Sequence, residues 1–287
     1  MSCKINKYYT DHLKVFTKKI VLIKYGGNAM LDNALKNRVM NDICHLNELG
    51  IRPVLVHGGG PFIQKTLDMA GLTSEFIHGH RKTSQEAMIY VEMALKGRVN
   101  GNIVKMINTT GQTAIGLSGK DGKMVIATKR IYKDEKTGKY IELGRVGDIQ
   151  SINPEVVLML LNNGYIPVIA SIASGDDGED YNVNADMFAG HLAASLGAKA
   201  YISMTNVDGV MLNPDDHSTL IREISFEKFS HVYRENIQGG MIPKLESCEI
   251  ALRGGVETAR IINGTTPHSI IKELGSSKGT GTFISKT

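Results

Sequence analysis

The chain is predicted to fold around an open α/β sheet, and three observations carry that prediction. Ile20-Val-Leu-Ile-Lys-Tyr-Gly-Gly27 runs apolar, mostly β-branched residues into a Gly-Gly pair, the pattern of a buried strand that ends in a tight loop. Arg52-Pro-Val-Leu-Val-His-Gly-Gly-Gly-Pro61 repeats it, with Pro61 suited to the first turn of a following helix. The second half returns to the same rhythm, with strand-like runs at Ala200–Met204 and Thr258–Ile262.

Taken in order, Ile5 to Phe16 read as a short amphipathic helix with Ile5, Tyr8 or Tyr9, His12, Leu13 and Phe16 on one side. A helix of this length is marginal alone and must dock, either on its own domain or on another subunit. After the first strand, Met30, Leu31, Ala34, Leu35, Val39, Ile43, Leu46 and Leu49 recur at helical spacing. Lys24 therefore stands at the C-terminal end of a strand, beside side-chain-free backbone and ahead of a helix. That is the edge where open α/β sheets bind ligands. Glycines let backbone N–H groups approach an anion, and a helix N-terminus adds positive potential. On this stretch alone, an ordinary snorkelling lysine at a βα turn fits as well. A second Gly-rich loop at the same sheet edge favours a convergent anion site. Neither Gly-x-x-x-x-Gly-Lys-[Ser/Thr] nor Gly-x-Gly-x-x-Gly occurs, which excludes a Walker A loop and the dinucleotide fingerprint.

Phe76 to Thr83 concentrates His78, His80, Arg81 and Lys82 and reads as a solvated basic turn. Ser84 caps a helix with Ala87, Met88, Val91 and Leu95 inward and Glu86 and Glu92 outward, and a further helix covers Val99–Ile107. Thr113–Leu117 is a strand, and Gly119 to Gly147 a small hairpin excursion. A helix from Asn153-Pro154 leads to the strand Tyr165–Ala170. Ser174 to Asp180 is an acidic, Gly-rich turn or hinge without the alternate-position spacing of a calcium loop. Asn184 or Asp186 opens the helix Ala185–Leu196, where either suits a cap or first turn. Past Asn213–Asp216, two helical stretches precede Gly239-Gly240. A helix over 243–253, the helix His268–Leu274 and a last strand Gly279–Phe283 complete the chain.

Composition narrows the function classes. With 42% hydrophobic and 22% charged residues the chain is an ordinary globular sequence, and 287 residues suggest about two domains. The net charge of +4 comes from scattered lysines without interleaved aromatics, which argues against nucleic acid and leaves small anions as partners. Cys3, Cys44 and Cys248 are far apart and odd in number, as expected in a reducing compartment. No secretory h-region is visible, and the longest apolar run, Val156 to Leu161, is far short of the ~20 residues that span a bilayer. A cytoplasmic protein is expected.

Lys24-Tyr-Gly-Gly27, Val56-His-Gly-Gly-Gly-Pro61, Gly79-His-Arg81, Asn182-Val-Asn-Ala-Asp186, Val207-Asp-Gly209 and Gly239-Gly-Met-Ile-Pro-Lys244, in this order, resemble the motifs of the amino acid kinase family. The resemblance covers essentially the whole chain. It implies a three-layer αβα sandwich with a mainly parallel central sheet. Residues 1–18 would be an N-terminal helix, 19–177 an acyl-substrate-binding and dimerisation lobe, and 178–287 an ATP-binding lobe. It implies transfer of the γ-phosphoryl group of ATP, with Mg²⁺ carried on the nucleotide phosphates and no metal held by the protein. The acceptor would be the side-chain carboxylate of N-acetyl-L-glutamate, in arginine biosynthesis. Such a nucleophile is already ionised at neutral pH, so positioning and charge stabilisation would supply the catalysis.

By the same resemblance, Lys24 and Lys244 match the two lysines that grip the phosphoryl group, and Asp186 the carboxylate that orients both. Gly27 and Gly59 would donate N–H groups to it, and Gly58 would help hold the attacking carboxylate. Arg81 matches the clamp on the substrate α-carboxylate, and Asn182 and Asn184 the substrate wall. Lys24, Gly27, Thr205, Asn206, Val207, Gly209, Met241 and Lys244 would line the nucleotide site. The N-terminal helix with Phe16, and the ending with His268, Glu273 and Gly279, resemble an arginine-inhibited, hexameric subgroup. Two positions depart from the pattern: Asn206 stands where Asp is usual, and His12 where tyrosine is common. Kinases of a related acid such as acetylaminoadipate, and a non-catalytic arginine-sensing member of the fold, are the competing readings.

Overall fold

The computed structural model describes residues 11–77, 79–133, 138–213, 216–226 and 239–285, and the side chain of Asn28 is likewise outside this description. Its centre is β1 (Ile20–Tyr25), in which all six residues are buried. It is flanked by β2 (Arg52–His57) on one side and β11 (Ala200–Thr205) on the other, both parallel to it. Beyond β2 lie β8 (Ile166–Ala170) and β5 (Ala114–Ser118). Beyond β11 lie β13 (Thr258–Asn263), β14 (Thr282–Ser285) and β12 (Glu223–Ser225). Among the described residues, the β13–β14 pair alone in this sheet is antiparallel. A parallel strand covered on both faces must be apolar throughout, and for this reason β1 reads as a continuous run.

The two faces carry two cores. Leu22, Val54 and Val56 share one core with α5 (Glu155–Asn162), α6 (Ala185–Ser195) and α7 (Ile242–Arg253). Val21, Ile23 and Tyr25 pack on the other face with α1 (Asn33–Glu48), α4 (Gly101–Asn108) and α8 (Ser269–Leu274). The result is the expected three-layer αβα arrangement with a mainly parallel sheet. Strand alternation sends Lys24 to the α6 face. Lys24 lies in register with Val56 of β2 and Ser203 of β11. No helix among the described residues is long and apolar enough to cross a membrane.

Several elements differ from the sequence reading. The helix expected from Met30 begins at Asn33, because Gly27–Met30 forms a 3₁₀ turn and the Asp32 side chain accepts from Leu35 N at 2.8 Å. The predicted basic turn is a short hairpin, β3 (Glu75–Ile77) and β4 (His80–Lys82), and Arg81 within it is buried; His78 lies outside the described residues. After α2 (Gly60–Met69), the two helices expected over 84–107 form one continuous rod. It comprises α3 (Gln85–Glu92), a π-helical stretch Met93–Asn100, and α4. Glu92 is turned inward enough to take the Lys120 ammonium at 3.0 Å. The hairpin of β6 (Val125–Lys133) and β7 (Tyr140–Ile152) is longer than predicted, and with β9 (Ile172–Ser174) and β10 (Asp180–Val183) it closes a small barrel. Where helices were expected after Asn213, β12 adds an edge strand, and 227–238 lies outside the described residues. The N-terminal helix falls partly outside them too. Its described end docks on its own chain, with Leu13 and Phe16 buried in the second core.

Candidate active site

Two strand ends and two helix N-termini converge on one edge of the sheet. The α6 N-terminus shows how local chemistry builds the site. Asn184 is the N-cap, its Oδ1 accepting from the backbone N–H groups of Asp186 (2.9 Å) and Met187 (3.2 Å). With the cap supplied by Asn184, the Asp186 carboxylate is left for other partners. Its Oδ2 accepts from Lys24 Nζ at 3.0 Å and from Lys244 Nζ, in the first turn of α7, also at 3.0 Å. Its Oδ1 accepts from Ser203 Oγ at 2.9 Å. One carboxylate thus ties together the ends of β1, β11, α6 and α7.

The electrostatics follow from burial. Burial pulls the Lys24 ammonium below the ordinary lysine value, with Lys244 adding to the effect and Asp186 opposing it. Burial alone would raise Asp186, but the two lysine charges and their hydrogen bonds outweigh it and hold the carboxyl below its usual range. An aspartate held in this way is a poor base. Its role is to keep two cations close together.

A cavity of about 230 Å³ opens beside this cluster. Its wall includes Lys24, Gly27, Gly58, Gly59, Arg81, Asn182, Asn184 and Asp186. Gly27 has φ +71°, and a Cβ there would sit 2.5 Å from Asn206 Oδ1, so the loop tolerates only glycine where the β11 loop crosses it. Arg81 comes in on the β3–β4 hairpin. Its NH1 donates to Gln64 Oε1 (2.7 Å) and to Ser74 Oγ, its NH2 donates to the Gly60 carbonyl (3.3 Å), and the guanidinium stacks 4.5 Å from the Phe76 ring. Burial lowers its pKa, opposed by Asp68. A fork presented in this way suits a carboxylate in the cavity.

The remaining predicted residues stand nearby but outside that wall. Lys244 reaches the site through Asp186, and Met241 precedes it in a 3₁₀ turn. Thr205 ends β11, Asn206, Val207 and Gly209 form the loop after it, and Asn206 brings this loop against Gly27. Phe16, Glu273 and Gly279 line a separate cavity of about 760 Å³, together with Arg260, Lys278 and Phe283. His268 does not line it, and its Nδ1 lies 2.7 Å from Asp42 on α1.

Sequence reasoning missed Ser203 and the pair His57–Asn100. Ser203 is invisible without the β1–β11 register, since nothing in a strand's own sequence says which strand pairs with it. His57 was visible inside the Gly-rich motif, but its partner, 43 residues away, was not.

Acetylglutamate kinase of Clostridium kluyveri is 45% identical over 95% of this chain and 94% of its own length. The enzyme of the same name from Thermoanaerobacter pseudethanolicus is 46% identical over 96% of this chain and 90% of its own length. In three dimensions, N-acetylglutamate synthase of Neisseria gonorrhoeae, solved with coenzyme A and N-acetyl-glutamate, superposes with a TM-score of 0.83 at 22% identity. The match covers 98% of this chain but 62% of that one, a likeness of fold. The profile of the amino acid kinase family matches residues 19–263, from the start of the central sheet to the end of β13. With that span and those relatives, the chain belongs to the amino acid kinase family.

Proposed function

We propose that the chain transfers the γ-phosphoryl group of ATP to the side-chain carboxylate of N-acetyl-L-glutamate, releasing an acyl phosphate for arginine biosynthesis in the cytoplasm. The observation that carries this reading is the sharing of one Asp186 oxygen by Lys24 and Lys244, beside a cavity that also receives Arg81. Two ammonium groups held together by one carboxylate leave a net positive centre, which suits a migrating phosphoryl group. The nucleophile is ionised at neutral pH and needs no base, and Asp186 is not built to be one. ATP enters as its magnesium complex, a substrate, on the side of Thr205–Gly209 and Met241. The acid lies against Gly58, Gly59, Arg81, Asn182 and Asn184, with its α-carboxylate on the Arg81 fork. Curated relatives named acetylglutamate kinase, at 42–46% identity over nearly the whole chain, support the choice of acceptor. The test is direct. Purified protein with ATP, Mg²⁺ and N-acetylglutamate yields a hydroxylamine-trappable acyl phosphate, and product with acetylaminoadipate alone would overturn the assignment.

The second cavity supports regulation by L-arginine in a homo-oligomer. Glu273 is buried and accepts from the backbone N–H groups of Thr280 (2.5 Å) and Gly281 (3.0 Å), which shapes the rim around Gly279. Its other oxygen lies 3.5 Å from Arg260 Nε, and the Arg260 guanidinium sits over the rings of Phe16 and Phe283. The wall thus sets the acids Glu223 and Glu273 beside the cations Arg222, Arg260 and Lys278 and two aromatic rings, a mixed lining that suits a zwitterionic amino acid with a cationic side chain.

A further inference from the structure

His57, the last residue of β2, is fully buried with both ring nitrogens engaged. Nδ1 lies 3.0 Å from the Gly58 carbonyl oxygen, and Nε2 lies 2.9 Å from Asn100 Nδ2. A carbonyl oxygen only accepts, so Nδ1 carries the proton; an amide nitrogen only donates, so Nε2 is bare. The Asn100 amide is itself fixed. Its Nδ2 also faces the carbonyls of Val168 (2.9 Å) and Leu117 (3.3 Å). Its Oδ1 lies where a Cβ on Gly116 would come within 1.9 Å. Asn100 closes the π-helical stretch Met93–Asn100, so the irregular winding of that rod determines where its side chain lands. Burial pushes the imidazole pKa down to about 4, and the ring stays in this single tautomer at neutral pH.

The consequence for the site comes from peptide planarity. The Gly58 carbonyl and the Gly59 N–H belong to one trans peptide unit and point in opposite directions. Drawing the carbonyl inward onto His57 turns the Gly59 N–H the other way, and Gly58 and Gly59 line the cavity together with Lys24. We propose that His57, held in one tautomer by Asn100, is a positioning residue that aims the Gly59 N–H at the phosphoryl group in transfer. Without the anchor, a peptide between two glycines has little to resist rotation. The role rests on the phosphoryl-transfer reading of the site.

The test compares two isosteres of the ring. In His57→Asn the amide nitrogen falls near the Nδ1 position and still donates to Gly58. In His57→Gln the amide reaches toward the Nε2 position and leaves the Gly58 carbonyl without its donor. Acyl phosphate formation from ATP and N-acetylglutamate is expected to keep kcat within about tenfold of wild type for H57N. For H57Q it is expected to fall about 10²-fold, the low end for losing one transition-state donor, with both KM values little changed. Equal losses in the two variants that track their melting temperatures, or an H57Q enzyme with wild-type kcat, overturn the proposal while leaving the kinase reading intact. Wild-type protein that makes no acyl phosphate sinks the kinase reading and this role together. Ring-¹⁵N NMR of wild-type protein supplies a check that needs no variant. The spectrum is expected to show the proton on Nδ1 from pH 8 to pH 5, and a proton on Nε2 contradicts the geometry.

Discussion

Replacing Asp186 with asparagine keeps the shape of the site and removes the charge that holds Lys24 and Lys244 together. At 3.0 Å from each ammonium, and in an effective dielectric of about 20, the carboxylate has a gross Coulomb attraction of about 5 kcal/mol to each lysine. Much of that is recovered as the freed ammonium groups swing into the open cavity and hydrate. The part expected to reach the barrier is about 3–4 kcal/mol, or about 10²–10³ in kcat. The pH profile tells the same story. In wild type, burial and Lys244 hold Lys24 below the ordinary lysine value against the opposing pull of Asp186. Deleting that pull lowers Lys24 further, so the alkaline limb of kcat moves to lower pH in D186N. The assay is steady-state hydroxamate formation from pH 6 to 10 with both substrates saturating. A D186N enzyme whose loss lies wholly in KM, or whose alkaline limb stays put or moves up, would refute the organising role given to Asp186.

Arg81→Lys keeps a positive charge but loses the fork held by Gln64, Ser74 and Gly60. It is expected to raise KM for the acid about tenfold or more, with kcat and KM for ATP nearly unchanged, measured by initial rates. His57 also makes stability depend on pH. Its folded value is depressed to about 4 from 6.5, so its contribution is fully present above pH 6.5 and is lost as pH falls toward 4. The loss is about 3 kcal/mol, read as a steeper fall in urea-unfolding free energy for wild type than for H57N over that range. L-arginine is expected to inhibit the intact protein and not one lacking residues 1–17, which removes Phe16 from the second cavity. Equal inhibition of both would place the effector elsewhere.

What was legible in the sequence is what depends on neighbours along the chain. Lys24 ahead of Gly26-Gly27, His57 ahead of three glycines, and the caps Ser84 and Asn184 are local facts. The structure keeps each one: Ser84 Oγ accepts from Ala87 N at 3.0 Å, and Asn184 resolves which of two candidates caps α6. Family resemblance, and not spacing, linked Lys24 to Lys244. What only the tertiary structure decided depends on strand order and register. Ser203 meets Asp186 because β11 pairs with β1 at Lys24, and Asn100 meets His57 because a π-helical stretch shifts its side chain inward. Arg81 looked like part of a solvated basic turn and is buried, because the hairpin folds over Gln64 and Gly60. The sequence by itself determined which strand ends run into glycine-rich loops, since a glycine after an apolar run needs no distant partner. The sharing of one Asp186 oxygen by two lysines came from packing, because a buried charge is held by whatever groups the fold brings within 3.0 Å of it.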